Sequence, residues 1–260
     1  MVTSDGRVRY SETDATGRLS MTGLLRLFQD LNYLAVEDVG RGIGYQTAHR
    51  AAWYLLSWDV RLDVPPALSD PYRFEAAFYR RSGSLAKKYM TLTDKAGDVL
   101  ATADTRWAFV DTVTGAPLPC PPDYFGDDPL TDAPRATGSG ARIRLPDDAE
   151  HLAPLTVGDA LIDENGHANN VRLTELAMAL SGFDTGCRRL RAEFLRQTRP
   201  GDCLTPVLAT VGADATNRRG HEAGTVDAEN AEAASSTETV LGLLSGDGKP
   251  QAVFAFSRNT

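Results

Sequence analysis

The chain has 260 residues, 42% of them hydrophobic, which suits one large domain or two ordinary ones, and two small domains is the starting expectation. A formal charge of −8 excludes a general nucleic-acid binder, because neutralising phosphates takes a basic face. No stretch approaches the roughly 18 to 20 apolar residues of a membrane span, and Met1-Val-Thr-Ser-Asp-Gly-Arg7 lacks the apolar core of a secretion signal, so a soluble, cytoplasmic protein with no membrane insertion is expected.

Arg7 to Ser11 reads as a short extended piece. From Thr22 to Val39, Leu24, Leu27, Phe28, Leu31, Leu34 and Ala35 recur at spacings of three and four, the pattern of a helix with one buried face. Gly40, Gly42 and Gly44 are expected to end it. Strand character follows at Trp53 to Val64, Tyr72 to Arg80, Ala86 to Thr93 and Val99 to Val110, with turn signals at Arg81-Ser-Gly-Ser84 and Asp94-Lys-Ala-Gly97. Leu118 to Gly140 then shifts to Pro, Asp, Gly and Thr, as a linker does.

The second half repeats the order. A turn at Asp163 to Asn170 leads into a helix at Val171 to Phe183, whose apolar stripe is Val171, Leu173, Leu176, Ala177, Leu180 and Phe183. Strands are expected at Cys187 to Arg196, Cys203 to Val211, Ser236 to Leu244 and Gln251 to Ser257, and Gly212 to Ser235 reads as a long hairpin loop. Asp14-Ala-Thr-Gly-Arg-Leu-Ser20 aligns with Asp163-Glu-Asn-Gly-His-Ala-Asn169 at a constant offset of 149 (163 − 14, and 166 − 17). Both halves also place an Asp after a Pro-containing strand end, in Val64-Pro-Pro-Ala-Leu-Ser-Asp70 and Arg199-Pro-Gly-Asp202.

A long helix wrapped by an antiparallel sheet is the hotdog arrangement, so the expected class is α+β, a tandem or double hotdog. The expected division is an N-terminal hotdog at 1–125, a linker at 126–140 and a C-terminal hotdog at 141–260. A lone hotdog leaves a sheet edge exposed; here the pair that covers it is expected within one chain, with a homodimer as a further assembly.

Five residues able to bond or transfer protons crowd into Asp163-x-Asn165-x-His167-x-Asn169-Asn170, at the mouth of a helix. Singly, each has a plain structural role: Asn169 or Asn170 as N-cap, Gly166 as turn residue, Asp163 and His167 as solvated loop residues. Together they fit ester or thioester hydrolysis. His167 has an ordinary pKa near neutrality, Asp163 is placed to orient the histidine or a water, and Asn165 to hold substrate or water. Free N–H groups at the helix start are expected to face the developing negative charge. In the first copy Thr16, Arg18 and Ser20 replace Asn165, His167 and Asn169, so only the C-terminal half is expected to be catalytic. No metal or organic cofactor is signalled; Cys120, Cys187 and Cys203 have neither disulfide nor zinc spacing and read as buried or incidental thiols.

The chain resembles the plant and bacterial acyl-ACP thioesterases, whose signature is D-x-N-x-H-x-N-N. The resemblance extends to Val8-Arg-Tyr-Ser-Glu12, Leu24-Leu-Arg-Leu-Phe-Gln-Asp30, Trp53-Tyr-Leu-Leu-Ser-Trp-Asp-Val60 and Thr105-Arg-Trp-Ala-Phe-Val110. It implies hydrolysis of fatty acyl-acyl carrier protein to free fatty acid and holo-ACP, with acyl carrier protein as partner and Asp163, Asn165 and His167 catalytic, supported by Asn169 and Asn170. The family also carries a Glu-Cys pair on the strand after the second helix. Here that pair is Gln197-Thr198, or, with an alignment slip, the carboxylate is Glu193 on the same strand; Cys203 is read as packing. Leu173 and Leu176 stand where the family commonly has aromatic residues, which reshapes the acyl pocket.

Acyl carrier protein is acidic, so a basic docking face is expected in Arg188, Arg189, Arg191, Arg196 and Arg199, or in Arg80, Arg81, Lys87 and Lys88; solvated faces with scattered ion pairs are the plain alternative. Two rival functions stand beside hydrolysis: a hotdog acyl-thioester hydratase or dehydratase, and a non-catalytic acyl-binding hotdog protein.

Overall fold

A computed structural model describes residues 1–121, 124, 130–132, 142–183, 185–212 and 237–258. The linker expected at 126–140, apart from 130–132, and the loop expected at 212–235, apart from Gly212, lie outside the described residues.

The chain opens with strand β1 (Val2–Arg7), and a one-turn 3-10 helix at Tyr10–Glu12 stands where an extended piece at Arg7 to Ser11 was expected. Helix α1 (Met21–Asp38) starts at Ser20, whose hydroxyl accepts from the Gly23 N–H at 2.9 Å. A Cβ on Gly23 would collide with the Glu12 carbonyl, so this glycine is what lets α1 close on the preceding turn. Leu24, Leu25, Leu27 and Phe28 are buried, but Leu34 is 59% exposed. The apolar stripe thus runs past the part of α1 that is covered.

Gly40, at φ +68°, ends α1, yet Gly42 leads straight into a second helix, α2 (Ile43–His49), where the three glycines predicted only a stop. The Glu37 carboxylate supplies the missing cap by accepting from the Ile43 N–H at 2.8 Å. None of the α2 residues is buried, so the helix carries no periodic apolar signal.

Four long strands follow: β2 (Ala51–Leu62), β3 (Pro71–Ser82), β4 (Leu85–Thr93) and β5 (Val99–Asp111). In β4 the residues Ala86, Lys88, Met90 and Leu92 are buried and their neighbours are not, the period of a sheet with one covered face. The second half contributes short β6 (Glu150–His151) and β7 (Leu155–Thr156), a 3-10 turn at Asp159–Leu161, and helix α3 (Asn170–Leu180). After these come β8 (Arg189–Phe194), β9 (Cys203–Gly212), β10 (Thr237–Ser245) and β11 (Pro250–Ser257).

All these strands form one antiparallel sheet in the order β1-β3-β4-β5-β2-β8-β11-β10-β9-β6, with β7 also on β9. The first-half strands end at β2, which pairs with β8, the strand that follows α3; Asp59 lies opposite Arg191 and Val60 opposite Leu190. The order within each half mirrors the other about this joint. One core spans both halves, from Leu24, Phe28, Val60 and Phe74 to Val171, Leu190 and Phe254. The joint also carries charge. Arg189 donates through Nε and Nη2 to both Asp59 oxygens at 3.2 and 3.0 Å, and Arg191 meets Glu238 at 2.6 Å with both side chains buried. Among the described residues no helix is long and apolar enough to cross a membrane.

Candidate active site

The turn before α3 is closed by backbone bonds. The Asp163 N–H donates to the His167 carbonyl at 3.0 Å and the Gly166 N–H to the Asp163 carbonyl at 3.0 Å, with Gly166 at φ +74°, a conformation that costs glycine little. Two bonds dock the turn: the Ala168 N–H to the Thr198 carbonyl, and the Asn169 N–H to the Leu161 carbonyl, both at 2.8 Å. Arg172 braces it from α3, donating to the Ile162 and Ala160 carbonyls at 2.6 and 3.2 Å.

Asn169 is the N-cap and does two jobs. Its Oδ1 accepts from the Val171 and Arg172 N–H groups at 3.0 and 3.3 Å, while its Nδ2 donates to Asp163 Oδ2 at 3.4 Å. The other Asp163 oxygen accepts from the Asn165 N–H at 3.0 Å. Asn170 is the first residue of α3, and its carbonyl accepts from the Thr174 hydroxyl at 2.7 Å. The expectation that the helix start faces a reacting atom is narrowed: Asn169 already takes the Val171 and Arg172 N–H groups, and its carbonyl takes that of Leu173.

Asp163 and His167 are half-buried, and Asn165 is exposed. Burial raises the Asp163 pKa above 3.8, against the bonds from the Asn165 N–H and Asn169 and the charge of His167, and with the charge of Glu164. Burial lowers the His167 pKa below 6.5, the charge of Arg199 lowers it further, and Asp163 opposes both. The imidazole is therefore mostly neutral at pH 7, the state that accepts a proton.

The turn before α1 has the same skeleton. Its Asp14 N–H donates to the Arg18 carbonyl at 2.8 Å, its Gly17 N–H to the Asp14 carbonyl at 2.9 Å, and its Ser20 N–H to the Glu12 carbonyl at 2.9 Å. Its side chains differ. Asp14 is taken up by Thr16, and Arg18 turns away to the Pro65 carbonyl at 2.9 Å. The second parallel recurs too: Asp70 accepts from the Ala67 N–H at 2.8 Å as Asp202 does from the Arg199 N–H at 2.7 Å.

Gln197 lies past β8, which ends at Phe194, and not on the strand itself. It is half-buried, and its Nε2 stands 4.0 Å from where a Cβ on Gly115 would be, in the turn after β5. Through the Thr198 carbonyl this segment touches the Asp163 turn. Glu193, the alternative carboxylate, has other neighbours: the groups that act on it are Arg106, Arg142, the Ile143 N–H and Arg191. Alternation along β8 explains this, since Leu190 and Ala192 take the core face.

Two residues that sequence reasoning missed flank the turn from the first half. The Tyr54 ring on β2 lies edge-on to the His167 ring, centroids 6.3 Å apart, and the charge of Asp163 acts on both Tyr54 and Tyr33 of α1. Among the described residues the buried Tyr54 hydroxyl and Thr198 Oγ1 have no hydrogen-bond partner, while Glu164 engages the buried Tyr33 hydroxyl.

Three residues of the expected basic clusters are spent inside the fold. Arg189 pairs with Asp59 across the β2–β8 joint, Arg191 pairs with Glu238 of β10, and Lys88 is buried against Asn32 and the Phe78 ring. Arg80, Arg196 and Arg199 are exposed, Arg196 pairing with Asp247 at 3.3 Å. Cys203 is exposed rather than packed, and burial pushes the Cys187 thiol up to about 12, so it is a poor nucleophile. No three His, Cys, Asp or Glu residues among those described are grouped to hold a metal.

Residues 2–126 match the family model of the acyl-ACP thioesterase N-terminal domain. No curated protein matches the chain by sequence. Three solved structures share its fold over 98% of its length. An acyl-ACP thioesterase from Bacteroides thetaiotaomicron is 19% identical, with a TM-score of 0.71 over 96% of that chain. A putative oleoyl thioesterase from Lactobacillus plantarum is 15% identical, at 0.74 over 94%. The 12:0-ACP thioesterase of Umbellularia californica is 14% identical, at 0.69 over 92%.

Proposed function

From the match of residues 2–126 to the acyl-ACP thioesterase N-terminal domain we infer that the chain belongs to that family and hydrolyses fatty acyl-acyl carrier protein at the Asp163–Asn169 turn. The observation that carries this reading is the Asp163 carboxylate, held by Asn169 beside a half-buried, neutral His167.

In this reading the two halves are tandem hotdogs, 1–125 and 141–260 joined by 126–140, and the β2–β8 joint makes within one chain the pair that separate hotdogs make by dimerising. The mirrored strand order and the matching turns support it. The second copy is the catalytic one; Thr16, Arg18 and Ser20 leave the first copy without acid-base chemistry.

His167 takes a proton from water as the water oxygen attacks the thioester carbonyl carbon. The carbonyl π pair moves onto oxygen, returns as the C–S bond breaks, and the imidazolium protonates the leaving thiolate. Asp163 orients the imidazole and favours its charged form. Asn169 positions Asp163, and the exposed Asn165 amide meets substrate. Gln197 accepts no proton, so the base is assigned to His167. Arg199, exposed and close enough to act on His167, suits the acidic carrier at the entrance.

The test is thiol release from a panel of acyl-ACPs, comparing wild type with His167→Ala, Asp163→Ala and Gln197→Glu. Turnover should collapse in the first two variants; full activity in both would remove the assignment. Loss of enoyl absorbance without thiol release would favour hydration, and acyl binding without either would favour a binding protein.

A further inference from the structure

We propose that the Tyr54 hydroxyl, supplied by the first half, is the hydrogen-bond donor to the substrate's carbonyl oxygen at the Asp163–His167 turn. The inference deepens the thioesterase reading and rests on it.

Hydrolysis needs a donor where negative charge develops on the carbonyl oxygen. The helix start does not offer the Val171, Arg172 or Leu173 N–H, because Asn169 occupies all three. Asp163 is a carboxylate and His167 takes up the proton of water. The facing first half can supply a further donor.

Tyr54 meets the geometric requirement. Its ring stands edge-on to the imidazole at 6.3 Å between centroids, and its Oη is buried with no partner, while other buried hydroxyls such as Thr105 and Thr174 bond to backbone carbonyls. A buried hydroxyl left unpaired weakens a fold that phenylalanine would serve better, so its presence beside the histidine calls for a ligand atom. Burial, with the charges of Asp163 and Asp111, raises the Tyr54 pKa above 10, so it stays protonated and able to donate. The Tyr33 hydroxyl is buried too, but the Glu164 carboxylate engages it, which makes Tyr54 the freer donor.

The role is a hydrogen bond, not a proton transfer. As water attacks, the carbonyl oxygen gains the π pair and the Tyr54 O–H shortens its bond to it; the bond relaxes when the C–S bond breaks. The phenol keeps its proton throughout, and His167 alone carries the proton from water to sulfur.

The test compares wild type with Tyr54→Phe and, as a control, Tyr79→Phe, whose hydroxyl bonds to Asp104 away from the turn at 2.8 Å. Tyr54→Phe should lower kcat on acyl-ACP by about 100-fold, with KM changed by less than about threefold and Tm unchanged or raised. The control should keep full activity. A second readout needs no turnover: with His167→Ala holding a 13C-carbonyl acyl-ACP, the bound C=O stretch should fall to lower frequency, and adding Tyr54→Phe should return it. A Tyr54→Phe enzyme as fast as wild type, or an unmoved stretch, overturns the proposal. Wild type that releases no thiol while the stretch still depends on Tyr54 instead overturns hydrolysis and leaves the carbonyl contact standing.

Discussion

Arg26 of α1 and Glu175 of α3 stand 149 positions apart and meet at 2.6 Å, Nε to Oε1. That spacing is also the one that lays the Asp14 turn on the Asp163 turn. Each residue therefore faces the position that this alignment makes its counterpart, the contact expected on an axis relating two copies of one fold.

The pair is partly open, with Arg26 53% exposed, so its worth is small. A double-mutant cycle on Arg26→Ala and Glu175→Ala should give a coupling of about 0.2–1 kcal/mol in urea unfolding, falling with added salt. The reversed pair, Arg26→Glu with Glu175→Arg, should recover most of it. Failure of the reversed pair to do better than either single reversal would argue against the axial geometry.

Asn169 links a helix cap to a carboxylate, and two substitutions separate these roles. Asn169→Ala should lose both, destabilising the fold by about 1 kcal/mol and lowering kcat. Asn169→Asp keeps an acceptor for the Val171 and Arg172 N–H groups, so Tm should hold, but it sets a second carboxylate against Asp163 and should still lower kcat. If Asn169→Asp kept wild-type kcat, the contact at 3.4 Å would have no part in positioning Asp163.

Much of this was readable from residue order. Periods of three and four gave α1 and α3, strand character between turn signals gave β2 to β5 and β8 to β11, and polar crowding with an internal repeat gave the Asp163 turn. What escaped has physical causes. Helix α2 buries none of its residues, so no periodicity marks it. Tyr33 and Tyr54 sit in segments whose pattern means core, and only the meeting of the halves brings them to the turn. Arginines at 189 and 191 count as surface charge until Asp59 and Glu238 are seen opposite them. A local spacing cannot report a partner 130 or 47 residues away.

The Arg191–Glu238 pair ties β8 to β10 beside the joint and is a costly place to disturb the sheet. Both side chains are 4% exposed, so Glu238→Ala leaves a guanidinium desolvated next to the β2–β8 ladder. The expected loss is about 3–5 kcal/mol, read as a lower urea midpoint with unchanged m. A loss below about 1 kcal/mol, the range of exposed pairs, would mean that water reaches the arginine.

The pH dependence carries two signs at one turn. His167 has a folded pKa below 6.5, so between that value and 6.5 the unfolded chain binds the extra proton; its contribution to stability is present above 6.5 and is lost as pH falls through this window. Asp163 has a folded pKa above 3.8, so its contribution is full below 3.8 and is lost as pH rises through the folded value. Wild type minus His167→Gln, compared by urea unfolding across pH, should therefore show a slope that begins just below 6.5. Activity should follow the same group: the acid limb of kcat/KM should lie below 6.5, since that profile reports the free enzyme's base. Arg199→Gln removes a charge that depresses this pKa, so it should move the limb to higher pH. A limb that stays put, while an NMR titration shows the His167 pKa rising, would mean that a different group accepts the proton from water.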